Sequence, residues 1–162
     1  MTTPKLSWGH INVNVSNLDR SIEFYEQLGF SVLIPGIPYL GIEKDGGRAV
    51  PADLIRTLDL PDGTRARACI MQLNDGFPKL DLTEFEKPAP QAPGANDDLG
   101  MVRLCLATRD LAQTYAALTA AGVEFLSTPT KGVGGMADVA VCRDPDGTLI
   151  ELVELHLEKW GS

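Results

Sequence analysis

His10 opens a run in which polar and apolar residues alternate, His-Ile-Asn-Val-Asn-Val, so strand parity sets His10, Asn12 and Asn14 on one face and Ile11, Val13 and Val15 on the other. An imidazole beside two amides can move a proton near neutral pH, give a lone pair to a cation, or serve as a hydrogen-bonded surface group. Two carboxylates stand in similar runs: Asp81 shares its face with Thr83, and Glu151 with Val153, opposite Glu84 and Glu154. A carboxylate on the inner face of a sheet calls for a compensating charge. Arg103, in Arg-Leu-Cys-Leu, can supply one, either as a structural ion pair or as a fixed cation facing developing negative charge. Cys105 has the parity of Arg103 and reads as a small packing residue. Lys131-Gly-Val-Gly-Gly135 lacks the spacing and strand-to-helix context of a phosphate loop, so it reads as a hairpin or lid edge. Trp8, Tyr39 and Phe85 are candidate apolar walls.

The elements that must position these groups repeat along the chain. Shifting the segment from His10 by 93 positions onto the segment from Arg103 lays Asn17 on Asp110, Leu18 on Leu111 and Gly29 on Gly122. Each copy reads as a strand, a short polar N-cap, a helix and a glycine suited to a left-handed C-cap. The helical stripes are Leu18, Ile22, Tyr25 and Leu28, then Leu111, Tyr115 and Leu118. Asn74-Asp75-Gly76 and Pro145-Asp146-Gly147 mark turns before the strands that carry Asp81 and Glu151. There the offset falls to 70 or 71, so the first copy carries about twenty extra residues near 34–65, including a short helix starting at Pro51. Such an insertion suits a lid or one wall of a site.

The expected division is residues 1–86 for the first βαβββ module, a Pro-rich linker at 87–97, residues 98–158 for the second module, and a tail at 159–162. The predicted fold class is α+β, with two tandem modules forming a cupped mixed sheet. Three cysteines without CxxC spacing argue against a disulfide framework or zinc knuckle and fit a reducing cytoplasm. A net charge of −8 without a basic cluster disfavours nucleic acid. No stretch has the length of a membrane span, and the N-terminal residues lack the apolar core of a secretory signal.

The repeat, with Asn-Leu-Asp-Arg-Ser-Ile-Glu-Phe-Tyr-Glu-Gln-Leu-Gly-Phe in the first copy and Asp-Pro-Asp-Gly-Thr-Leu-Ile-Glu-Leu in the second, resembles the vicinal oxygen chelate superfamily. That superfamily includes glyoxalase I, methylmalonyl-CoA epimerase, extradiol dioxygenases and fosfomycin- and bleomycin-resistance proteins. The resemblance implies a site from the first and last strand of each copy, with His10, Asp81, Arg103 and Glu151 in its four slots. Asn12, Asn14, Thr83 and Cys105 would contact substrate beside them. Where metal-using members commonly have a second histidine, this chain has Arg103, which cannot ligate. His10, Asp81 and Glu151 remain as ligands for one divalent ion, or the site works without metal.

His156, five residues past Glu151, has the wrong parity to replace the missing histidine, which disfavours an extradiol iron site. The implied activity is a lyase, isomerase, epimerase or cyclase step on a small oxygenated metabolite through an enolate or oxyanion. The alternatives are a metal-free drug- or metabolite-binding resistance protein and a non-catalytic regulatory domain. The resemblance also implies a homodimer.

Overall fold

In a computed structural model describing residues 5–88 and 95–160, the first alternating run is strand β1 (His10–Asn14). Asn17 caps the helix α1 (Leu18–Gln27), its side-chain oxygen accepting the N–H of Arg20, and Gly29 follows with a φ of +92°. After β2 (Phe30–Ile34) come the short strands β3 (Gly36–Ile37), β4 (Ile42–Glu43) and β5 (Arg48–Ala49), with a 3-10 turn at Pro38–Leu40. Pro51 stands just before α2 (Ala52–Thr57), as expected of a residue whose missing N–H costs nothing there. The long hairpin β6 (Arg65–Leu73) and β7 (Lys79–Phe85) closes this part.

The chain divides into two compact units, Met1–Pro90 and Gln91–Ser162. In the first, the strand order is β1-β7-β6-β2, with β5 on the edge of β6; β1 and β7 run parallel and the other pairs antiparallel. One face packs on α1: Val13 and Val15 from the first run, Leu80, Leu82, Cys69 and Met71 from the hairpin, and Leu18, Ile22 and Tyr25 from the helix are all buried. The insertion covers part of the other face. Ile37, Ile42, Val50 and Ile55 form a buried cluster with Ala66, Ala68 and Ile70 of β6, and Phe85 packs at its margin. It is an apolar wall built onto the sheet, with its own core.

In the second unit β8 (Arg103–Ala107) leads to α3 (Leu111–Ala120), capped by Asp110 through the N–H of Gln113 and followed by Gly122 at φ +89°. Then come β9 (Thr130–Lys131), β10 (Ala137–Arg143) and β11 (Leu149–Leu155), in the order β8-β11-β10-β9. The module's expected second strand is β9, which edges β10 as β2 edges β6, and it is short; an isolated bridge, Phe125 with Cys142, precedes it. Pro129 lies between the two and has no N–H for a ladder, which accounts for the interrupted pairing. Leu111, Leu118 and Val123 bury against Ala140, Cys142, Ile150 and Leu152. Each unit thus carries its own mixed sheet with one helix on its back. The sequence division at 86 and 98 brackets the unit boundary; most of the expected linker, 89–94, lies outside the described residues, as do 1–4 and 161–162.

Candidate functional site

Register determines what stands beside each predicted residue. In the parallel pair β1–β7, Asn12 lies next to Asp81 and Asn14 next to Thr83, while Ile70 of β6 flanks Asp81 on its other side. Asp81 therefore sits where the polar row of β1 meets the insertion-covered half of the sheet, and is only 3% exposed. His10 keeps 37% of its side chain exposed, with Nε2 at 3.7 Å from Asp81 Oδ2: ion-pair distance, longer than a direct hydrogen bond. The other oxygen, Oδ1, accepts the hydroxyl of Thr83 at 2.8 Å, and Asn12 Nδ2 donates to that hydroxyl at 3.4 Å. Burial pushes the Asp81 carboxyl up from its ordinary value, against the opposing pull of Thr83, His10 and Asn12.

Thr83, expected to touch substrate, is buried and commits its proton to Asp81; Asn12 backs it, and Asn14 is exposed beside it. Tyr39, on the insertion's 3-10 turn, is exposed, and the Asp81 charge adds to burial in raising its phenol. The phenol gives Tyr39 a polar end that its reading as an apolar wall leaves out. Trp8 is largely exposed. Lys79, beside His10 in register, lies over the Phe77 ring and donates to Gln72.

The equivalent strands of the second unit hold a different pair. Cys105 is Glu151's neighbour, and Arg103 that of Leu149. The Arg103 Nε donates directly to Glu151 Oε2, and Nη1 donates to Asn96 Oδ1 at 3.1 Å. The two side chains are 38% and 19% exposed. Cys105 is exposed rather than packed, which corrects its reading as a core filler, and its thiol is raised by burial and by Glu151. A thiol held up in this way is a poor nucleophile. Asn96 has no periodic run around it to single it out in the sequence. Val153 stands where the first unit has Thr83, so no hydroxyl is available to orient Glu151.

His156 turns away from this face. Its Nε2 lies 3.2 Å from Asp138 Oδ2, and Asp138 is paired in register with Glu154, opposite Glu151. Lys131 to Gly135 forms the predicted hairpin, where Gly135's carbonyl accepts Lys159 Nζ. Glu84 and Glu154, noted in the sequence only for their parity, each accept the first N–H of their unit's helix: Leu18 at 2.5 Å and Leu111 at 2.8 Å.

The donor set does not fit a divalent metal centre. Arg103 has no lone pair to offer, and its charge already occupies the Glu151 oxygen that a cation would need. Among the described residues no three His, Cys, Asp or Glu side chains gather as a metal-holding group. Nor is any described helix long and apolar enough to cross a membrane.

The chain matches the sequence pattern of the Glyoxalase/Bleomycin resistance protein/Dioxygenase superfamily over residues 7–152. Among solved structures it is similar to a glyoxalase family protein from Bacillus cereus, with 22% identity and a TM-score of 0.74 over 96% of this chain and 98% of that one. A glyoxalase/bleomycin resistance protein/dioxygenase domain from Frankia sp. matches at 16% identity and TM-score 0.61, covering 96% of this chain and all of its own. A glyoxalase I mutant from Zea mays matches at 20% identity and TM-score 0.60, covering 90% of this chain but only 44% of its own length. At these identities the likeness is one of fold. A comparison with curated proteins returns no match.

Proposed function

Because the chain belongs to the glyoxalase/bleomycin resistance protein/dioxygenase superfamily, we propose that it is a metal-independent enzyme of lyase or isomerase type, moving a proton on a small oxygenated molecule. The observation that carries this reading is Asp81, a buried carboxylate fixed through Oδ1 by Thr83 with its free oxygen toward the half-exposed His10. Leaving a carboxylate out of water works against stability unless it is fully paired, so its place behind an accessible imidazole suits proton transfer.

His10 takes a proton from a carbon next to a carbonyl. The electron pair left behind moves into the carbonyl, forming an enolate. Asp81 holds the ring's orientation and offsets the charge of the imidazolium that forms. The proton then returns to the same or a neighbouring carbon, or a leaving group departs. The 3.7 Å gap shortens on substrate binding, as apo contacts commonly do. An extradiol reaction is disfavoured because it requires two histidines and a carboxylate on one iron, and His156 is held on the opposite face. The reading includes a homodimer in a cytoplasm, where three free thiols persist.

The test incubates chelator-treated protein with small oxo acids and hydroxy ketones in deuterated water and follows solvent deuterium entering next to the carbonyl by NMR. Exchange that is lost in Asp81→Asn and His10→Asn supports the reading. Tight binding of such compounds without exchange indicates a binding protein instead, and exchange that requires added metal overturns the metal-free part.

A further inference from the structure

We propose that Arg103 anchors the carboxylate of a small organic acid, with Glu151 and Asn96 as the groups that aim it. The inference stands on the second unit's own geometry and goes beyond the proton-transfer reading above. Of the guanidinium's three nitrogens, Nε is spent on Glu151 and one N–H of Nη1 on Asn96, whereas Nη2 donates to nothing among the described residues. Two acceptors on different elements, β11 and the segment before β8, hold the plane still and, among the described residues, leave its far edge unspent. A planar fork of N–H groups at fixed spacing matches two oxygens on one carbon, which a lysine or a lone backbone amide does not.

A purely structural role explains less. An Arg–carboxylate pair this exposed adds little to stability. Such a role also gives no reason for the pair to stand at the strand positions where the first unit carries its imidazole and carboxylate. Glu151 accepts from Arg103 and lies against the Cys105 thiol, so it acts as a positioning group. Because Glu151 partly cancels the guanidinium's charge, binding depends on the two-point geometry more than on long-range attraction.

The experiment follows the Arg103 side-chain Nε–H resonance in the full chain while pyruvate, or its uncharged amide pyruvamide, is added. Pyruvate is expected to shift the resonance saturably and the amide to leave it unmoved. Arg103→Ala should weaken pyruvate binding by about tenfold or more, and Arg103→Lys by less, because the charge stays while the fork is lost. Should Arg103→Ala not fold, the lysine variant carries the test. Equal responses to acid and amide, or undiminished binding in the arginine variants, overturn the anchor.

The anchor and the proton-transfer reading fail separately. Asp81→Asn should still bind pyruvate through Arg103 while losing deuterium exchange. Exchange without the Arg103 response sinks only the anchor, and an Arg103 response without exchange of any acid sinks the proton-transfer reading.

Discussion

The His10–Asp81 and Arg103–Glu151 pairs occupy the same two positions of the same parallel strand pair, one in each unit, and differ in how far each is already satisfied. In the first, the carboxylate is buried, held by a threonine, and separated from its imidazole by 3.7 Å. In the second, the carboxylate is more exposed and bonded directly to a guanidinium that reaches out to Asn96. The residue two positions along the last strand makes much of the difference: Thr83 can donate to Asp81, and Val153 cannot donate to Glu151. The insertion adds the rest, because it builds an apolar wall onto the first unit's sheet on the face that carries Asp81. A repeated scaffold therefore sets where the charged groups stand, and their neighbours set whether those groups remain available for chemistry.

The strongest way to break that contrast is to exchange the roles. His10→Asn is expected to lower deuterium exchange by about 10²–10⁴-fold, the usual contribution of a positioned acid or base, with the fold intact by circular dichroism. A larger loss in Glu151→Gln would move proton transfer to the second unit. Next in size, Ile37→Ala should cost about 2–5 kcal/mol by opening a cavity in the insertion's own core, read by urea unfolding. Its effect on His10 chemistry should exceed its effect on carboxylate binding at Arg103.

A smaller effect comes from Asp81 itself. Burial raises its proton affinity, so its contribution to stability is fullest below the ordinary carboxylate pKa and is lost as pH rises through the raised value in the folded chain. Asp81→Asn should then melt higher than the natural chain at neutral pH, by about 2–4 °C if the gain is ~1 kcal/mol, and the gap should close in acid. Scanning calorimetry across pH checks both signs. Smallest are the helix anchors. Glu84→Gln should cost about 1 kcal/mol and Glu154→Gln about half that, because Glu84 also pairs with Arg67, which in turn holds Asp19. Equal losses would mean that the Arg67 link adds nothing.

Much of the scaffold was legible because it depends on local chemistry. Period-two runs marked β1 and β8, Asn17 and Asp110 announced their helices, and Gly29 and Gly122 marked where they stop. Parity also set Asp81 apart from Glu84, and Glu151 from Glu154. What was missed depends on contacts distant in sequence. Nothing around Asn96 signals a partner for Arg103, and the apolar wall exists only once the insertion folds back on β6. The break between the Phe125 bridge and β9 had a local cue in Pro129 that the repeat pattern outweighed. For Thr83, parity gave the face of the residue but not the partner that takes its hydroxyl proton.

Glu84 and Glu154 each stand three residues after the carboxylate of the opposite face and hold the start of their own helix. A one-residue slip of the last strand would break that helix contact as well as turn the front of the sheet inside out. The back of each unit therefore proofreads alignment without using any residue that meets a ligand. Positions 10, 12, 103 and 105 are free to vary in a selection experiment while both glutamates stay, so new specificities can be sought on this chain without first rebuilding its fold.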